Sequence, residues 1–268
     1  MSETDLLVAR HGPTVLLTLN RPERRNALSP AIYQGLMDAM TEAATDPEIA
    51  NIVIEGAGGF FCAGGDLDAL AERASLPEAE RAEKIEALHS MIRAVRRSPK
   101  PVIAAIEGGA AGAGASLAFA ADLLVAAENA RFTMAYVKIG LVPDGGATAS
   151  LARALPPQMA AEICLLGEPV AASRLAELGV VNRLAEPGCA RAAALTLAAE
   201  LATGARTAQS VILSLLNQAG EEDFIGQLEN EKRAMATALG GTEVVEGIAA
   251  FKAKRAPDFN AISGRESV

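Results

Sequence analysis

The sequence predicts an α/β protein that is mostly helical from Pro156 onward. Three observations carry that reading. Apolar runs of strand length (Ile52, Val53, Ile54; Val102, Ile103, Ile106) pass directly into glycine-rich loops and then into helix starts. Half of the 268 residues are hydrophobic, enough to bury a substantial core. From Pro156 onward the apolar spacing is almost wholly helical.

In chain order, residues 6–9 and 15–19 read as a hairpin around His11-Gly12-Pro13, with His11 a solvated turn residue. RPERRNALS (21–29) then crowds three arginines ahead of Ser29 and Pro30, an N-cap and a first helical residue. The helix that follows carries Ile32, Leu36, Met40 and Ala43 on one face. Arg24 and Arg25 stand before its N-terminus, where a phosphate would meet guanidinium forks and bare amides together. A solvated surface is the plainer reading of two arginines.

The strand at 51–55 feeds GAGGFFCAGGDL (56–67), which bares its backbone at Ala63, Gly64 and Gly65, while Asp66 can cap a helix beginning at Leu67. Pro77 interrupts, and 78–97 is a long amphipathic helix with Ile85, Leu88, Ile92 and Val95 inward and a partly buried His89 beside them.

PVIAAIEGGAAGAGASLAFAAD (101–122) repeats the strand, glycine loop and helix start. Its bare N–H groups suit an anion or a polarised carbonyl. A dinucleotide fingerprint fails, because GAGASL offers Ser116 and Leu117 where the third glycine belongs. A serine nucleophile elbow fails too, since His11 and His89 both precede Ser116. One N–H from each glycine loop can grip one oxygen, as an acyl oxyanion is held.

A strand at 123–127 follows. The PDGG turn (143–146) opens a helix at 147–155. Asp144 is either that helix's N-cap or a carboxylate delivered to a pocket among Ile139, Leu141 and Val142, apolar neighbours suited to acid/base work. Helices at 158–166, 171–178, 189–202, 208–218, 223–239 and 243–254, with a short strand at 180–184, complete the chain.

The net charge of −9 speaks against a nucleic-acid surface. Three cysteines without C-x-x-C spacing point to reduced thiols, with Cys62 a packing residue. Two distant histidines give no metal-ligand spacing. MSETDLLVAR lacks the form of a signal peptide, and the weakly polar run at 108–121 is short of the ~20 residues a bilayer needs. A soluble cytoplasmic protein, without membrane or nucleic-acid partners, is expected.

RPERRNALS, FFCAGGDL, AAIEGGAAGAGASLA, GLVPDGG and EGIAAFKAKRAPDF, in this order and spacing, resemble the crotonase superfamily, the enoyl-CoA hydratase/isomerase family, over about residues 5–259. The resemblance implies a spiral of β-β-α units over 1–200 and a helical region at 201–260 that trimerises, with trimers often paired into hexamers; the polar segment 261–268 reads by itself as a frayed tail. The resemblance also implies an acyl-coenzyme A thioester as substrate and no separate cofactor. Adenine would lie beside 63–67, phosphates near Arg24 or Arg25, and the oxyanion hole at the N–H groups of Gly65 and Ala113. Ala27, Gly64, Asp66 and Leu67 belong to the same implied site, and Phe251 and Lys254 would complete it across a subunit interface.

Where hydratases of the family carry two glutamates, this chain has Ser116 and Tyr136. Asp144 matches the aspartate of some isomerases and of an aryl-CoA dehalogenase. Without tryptophan the dehalogenase fits poorly. The chain is closest to the isomerase branch with an aspartate in a PDGG turn, as in the phenylacetate-pathway isomerase. Asp144 would then be the acid/base and Tyr136 a wall of the pocket. A hydratase is the alternative reading, and a thioester-binding protein without turnover another.

Overall fold

The apolar runs pair into a sheet whose inner strands are buried on both faces. The structure, a computed structural model, describes residues 4–263. β1 (Leu6–His11) and β2 (Thr14–Leu19) form the expected antiparallel hairpin, longer by Arg10, His11 and Thr14 at its turn end. After α1 (Pro30–Thr45), β3 (Asn51–Gly56) runs parallel to β2. Next come α2 (Leu67–Ala74), α3 (Glu78–Arg96) and β4 (Val102–Ile106), the last parallel to β3.

β5 (Gly109–Ala111) and α4 (Ala113–Ala120) hold the second glycine loop, and β6 (Leu123–Ala127) returns beside β4. β7 (Arg131–Thr133) pairs with β5, then α5 (Ala147–Ala154) and α6 (Pro157–Leu166) lead to β8 (Val170–Ala171). β5, β7 and β8 form a small second sheet that no apolar run announces, because its strands are only two or three residues long. α7 (Ala172–Glu177) precedes β9 (Arg183–Ala185), which closes the main sheet in the order β1-β2-β3-β4-β6-β9.

Side chains alternate across this sheet. Leu17, Ile52, Ile54, Val102 and Ile106 join the large core with α1, α3 and α4. Leu16, Val53, Ile103 and Val125 pack instead on Ala194, Leu197 and Ala198 of α8 (Ala190–Ala202). Coverage on both sides is why these strands read as unbroken apolar runs. A buried polar clamp fixes α8: Thr14 Oγ1 donates to Asn51 Oδ1 at 2.8 Å, and Asn51 Nδ2 donates to the Ala198 carbonyl at 2.7 Å.

α9 (Arg206–Gln218), α10 (Phe224–Leu239) and α11 (Thr242–Lys252) follow, leaving Leu216, Phe224, Ile225, Met235 and Val245 exposed. The polar tail opens with the short turn α12 (Asn260–Ser263), and its residues 264–268 lie outside the described residues. Among the described residues no helix is long and apolar enough to cross a membrane.

Candidate active site

The two glycine loops lie against each other because small residues let their backbones touch. Phe61 N donates to the Glu107 carbonyl at 2.9 Å, and Ala111 N to the Cys62 carbonyl at 2.9 Å. A Cβ at Gly64, whose φ is 97°, would stand 2.6 Å from the Ala111 oxygen and 3.1 Å from the Ala113 nitrogen. One at Gly114 would stand 2.4 Å from the Cys62 oxygen. The contact brings Gly65 beside the first turn of α4. The N–H groups of Gly65 and Ala113 have no acceptor among the described residues, and both residues line one cavity of about 820 Å³. Ala113 is the first residue of α4, where helix geometry leaves an N–H unpaired.

Asn26 fastens the arginine loop to this pair. It is fully buried with φ 56°. Its Oδ1 accepts from Arg21 N at 2.9 Å, and its Nδ2 donates to the carbonyls of Ala57 at 2.9 Å and Phe60 at 2.6 Å. Cys62 Sγ donates to the Asn26 carbonyl at 3.1 Å. Burial pushes that thiol up to about 12, so it stays protonated and serves as a donor, the packing role expected of it.

Ser29 caps α1 through Ile32 N, and Asp66 caps α2 through Asp68 N, both as expected. Asp66 also accepts from Arg21 at 3.2 Å and Arg24 at 3.0 Å. Burial alone would raise its carboxyl, but the Arg21 hydrogen bond, the Arg24 charge and the backbone amides hold it below the ordinary range.

Arg24 lines the cavity and Arg25 does not. Arg25 takes a left-handed backbone, φ 48°, and its guanidinium lies over the Phe60 ring at 5.6 Å. Ala27, Ala63, Gly65, Asp66 and Leu67 line the same cavity, with Gly64 buried behind them. Phe251, 86% exposed, and Lys254 lie off the cavity at the end of α11 within one chain.

Gly112, Ala113, Tyr136 and Asp144 line the same cavity. Asp144 is not a helix cap: α5 begins after Gly146 and has no side-chain cap. Instead Tyr136 Oη donates to Asp144 Oδ1 at 2.7 Å, and Ser116 Oγ donates to the Asp144 backbone oxygen at 2.9 Å. Ser116 Oγ also lies 3.1 Å from Tyr136 Oη. Burial, then the Asp144 charge, push the Tyr136 phenol upward, so it remains a donor.

Asp144 Oδ2 accepts no hydrogen bond among the described residues. The apolar enclosure expected around Asp144 is incomplete in the single chain. Ile139, Leu141 and Val142 line the cavity but are exposed, Val142 by 80%.

Tyr33 and Arg73 also line the cavity. Nothing in the sequence marks them, because their meeting depends on how α1 and α2 pack. Asn26 was visible within RPERRNALS, but its partners lie 31 and 34 residues away. Chemically, two free amides can polarise a carbonyl, and a carboxylate with one open oxygen can exchange a proton.

Residues 11–262 match the family model described as "Enoyl-CoA hydratase/isomerase". The chain is 34% identical over 244 residues to a 1,2-epoxyphenylacetyl-CoA isomerase of Escherichia coli, covering 91% of this chain and 93% of that protein. It is 36% identical over 258 residues to a 2,3-dehydroadipyl-CoA hydratase of the same species, covering 96% and 98%. The crystal structure of an enoyl-CoA hydratase from a Polaromonas species superposes with a TM-score of 0.91 at 46% identity, over 94% of this chain and 98% of that one. The spiral core, the paired glycine loops and these matches agree, and the chain belongs to the enoyl-CoA hydratase/isomerase family, as an enzyme acting on acyl-CoA thioesters.

Proposed function

We propose that this enzyme shifts a double bond in an enoyl-CoA thioester, with Asp144 as the single acid/base. The observation that carries the reading is the use of Ser116 and Tyr136. Both stand where hydratases of the family carry glutamates, and both bond to Asp144. That leaves Asp144 as the cavity carboxylate without an arginine partner, since Asp66 and Asp68 are paired with Arg21 and Arg24, on the same cavity as the two unpaired amides.

In this reading the thioester oxygen accepts from the N–H groups of Gly65 and Ala113, which acidifies the neighbouring carbon and stabilises the enolate. Asp144 takes a proton from one carbon and returns it to another, so no water enters the product and no redox cofactor is required. The adenine rests beside 63–67, and Arg24, with Arg25 nearby, faces the phosphates. The exposed apolar faces of α9, α10 and α11 support a homotrimer, or a dimer of trimers, in which Phe251 and Lys254 of a neighbouring copy complete the coenzyme A site.

A hydratase is the second reading, favoured by the names of the 2,3-dehydroadipyl-CoA and Polaromonas relatives. Asp144→Asn separates an isomerase from a thioester-binding protein without turnover. An isomerase loses turnover and keeps its affinity for coenzyme A, whereas a protein that only binds thioesters changes in neither.

A further inference from the structure

We propose that the acyl pocket is built for a thioester whose acyl chain ends in a carboxylate, received by the Arg73 guanidinium and the Tyr33 hydroxyl. The inference rests on the acyl-CoA reading above and names the class of acyl group.

Arg73 sits half-buried in the last turn of α2, on a cavity lined there by Leu70, Ala74, Ile85 and Leu88 together with Arg81 and Lys84. It takes part in no ion pair among the described residues. Arg24, on the same cavity, is paired with both Asp66 and Asp68. In a chain of net charge −9, with acidic residues in excess, an unpaired guanidinium on the cavity wall stands ready for an outside anion.

The second half of the receptor is Tyr33, 5% exposed on α1, whose hydroxyl lies against Arg73. Burial pushes its phenol upward, so it keeps a proton to donate. A fork of guanidinium donors with a phenol beside it matches the geometry of a carboxylate. Tyr33 and Arg73 line the same cavity as Asp144. Arg81 and Lys84 line the same wall, and neither has an acidic partner among the described ion pairs.

The test is calorimetric titration of the full chain with adipyl-CoA, hexanoyl-CoA and free coenzyme A. The two thioesters share a six-carbon chain and differ only in the terminal carboxylate. Adipyl-CoA is expected to bind roughly tenfold or more tightly than hexanoyl-CoA, the scale of one charge-assisted contact. Arg73→Met should erase that preference while leaving hexanoyl-CoA and coenzyme A unchanged. Arg73→Lys should keep part of it, and Tyr33→Phe should reduce it.

Equal affinity for the two thioesters in the wild type would overturn the proposal. So would an Arg73→Met variant that weakens all three ligands alike, which would assign Arg73 to the phosphates. A preference for adipyl-CoA without any proton exchange would keep the receptor and remove the isomerase. If none of the three binds, the acyl-CoA reading and the receptor fall together.

Discussion

Tyr136 Oη donates to Asp144 Oδ1 at 2.7 Å, while Ser116 grips the backbone oxygen of the same aspartate at 2.9 Å. The two side chains orient one carboxylate from both ends. Tyr136→Phe removes a hydrogen bond to a charged group and little volume. We expect kcat to fall roughly 10- to 100-fold, on the order of 1.5 to 3 kcal/mol. Coenzyme A affinity should stay within about twofold, the margin of an uninvolved residue. Steady-state kinetics with product inhibition by coenzyme A reads both.

Gly64→Ala should disable the site with little change elsewhere. The new Cβ would meet the Ala111 oxygen at 2.6 Å and strain a residue held at φ 97°. Relief requires the two loops to separate, which pulls Gly65 away from Ala113. Loss of about 2 kcal/mol or more of stability, with kcat down by at least roughly tenfold, is expected. Chemical denaturation and turnover measured on one preparation check it.

Asn26→Ala leaves the Arg21 amide and the Ala57 and Phe60 carbonyls without their partner. Each unmade buried bond carries a desolvation penalty, so a cost of about 3 kcal/mol is expected. Urea midpoints of the wild type and the variant give the number. A change below about 1 kcal/mol, the net value of one ordinary hydrogen bond, would show that water replaces the clip.

Asp122 gives the fold a pH dependence. Burial pushes its carboxyl up to about 6, against the Val102 N–H at 2.9 Å and the Arg96 charge. The native state therefore holds a proton that the unfolded chain releases near pH ~4. This contribution to stability is complete below about pH 4 and is lost as pH rises through about 6, by about 2 to 3 kcal/mol. Asp122→Asn keeps an oxygen for Val102 N and removes the slope. The wild-type minus variant difference in unfolding free energy, followed from pH 4 to 8, should fall by that amount.

What the sequence could disclose follows from what each feature depends on. The inner strands β2, β3, β4 and β6 were legible because both their faces are covered, which makes their apolar runs continuous, whereas the strand expected at 180–184 lies at Arg183–Ala185 on the sheet edge. The caps at Ser29 and Asp66 were legible because capping is local. Two possibilities stood open for Asp144, and a single residue decides between them: Gly146 takes the cap position and frees the carboxylate.

Arg24 and Arg25 were indistinguishable as letters, and only the left-handed turn at Arg25 sends it to Phe60. β5, β7 and β8 are too short to carry a period. Tyr33 and Arg73 meet through helix packing, which no local pattern records.

The central claim is that Asp144 moves a proton within the substrate and adds nothing to it. Incubating the wild type and Asp144→Asn in heavy water with 2-enoyl- and 3-enoyl-CoA thioesters, and following each by mass spectrometry, tests it directly. Deuterium uptake with a displaced double bond and no added water in the wild type, absent from Asp144→Asn, is the expected result. Gain of one water across the double bond would contradict it and make the enzyme a hydratase.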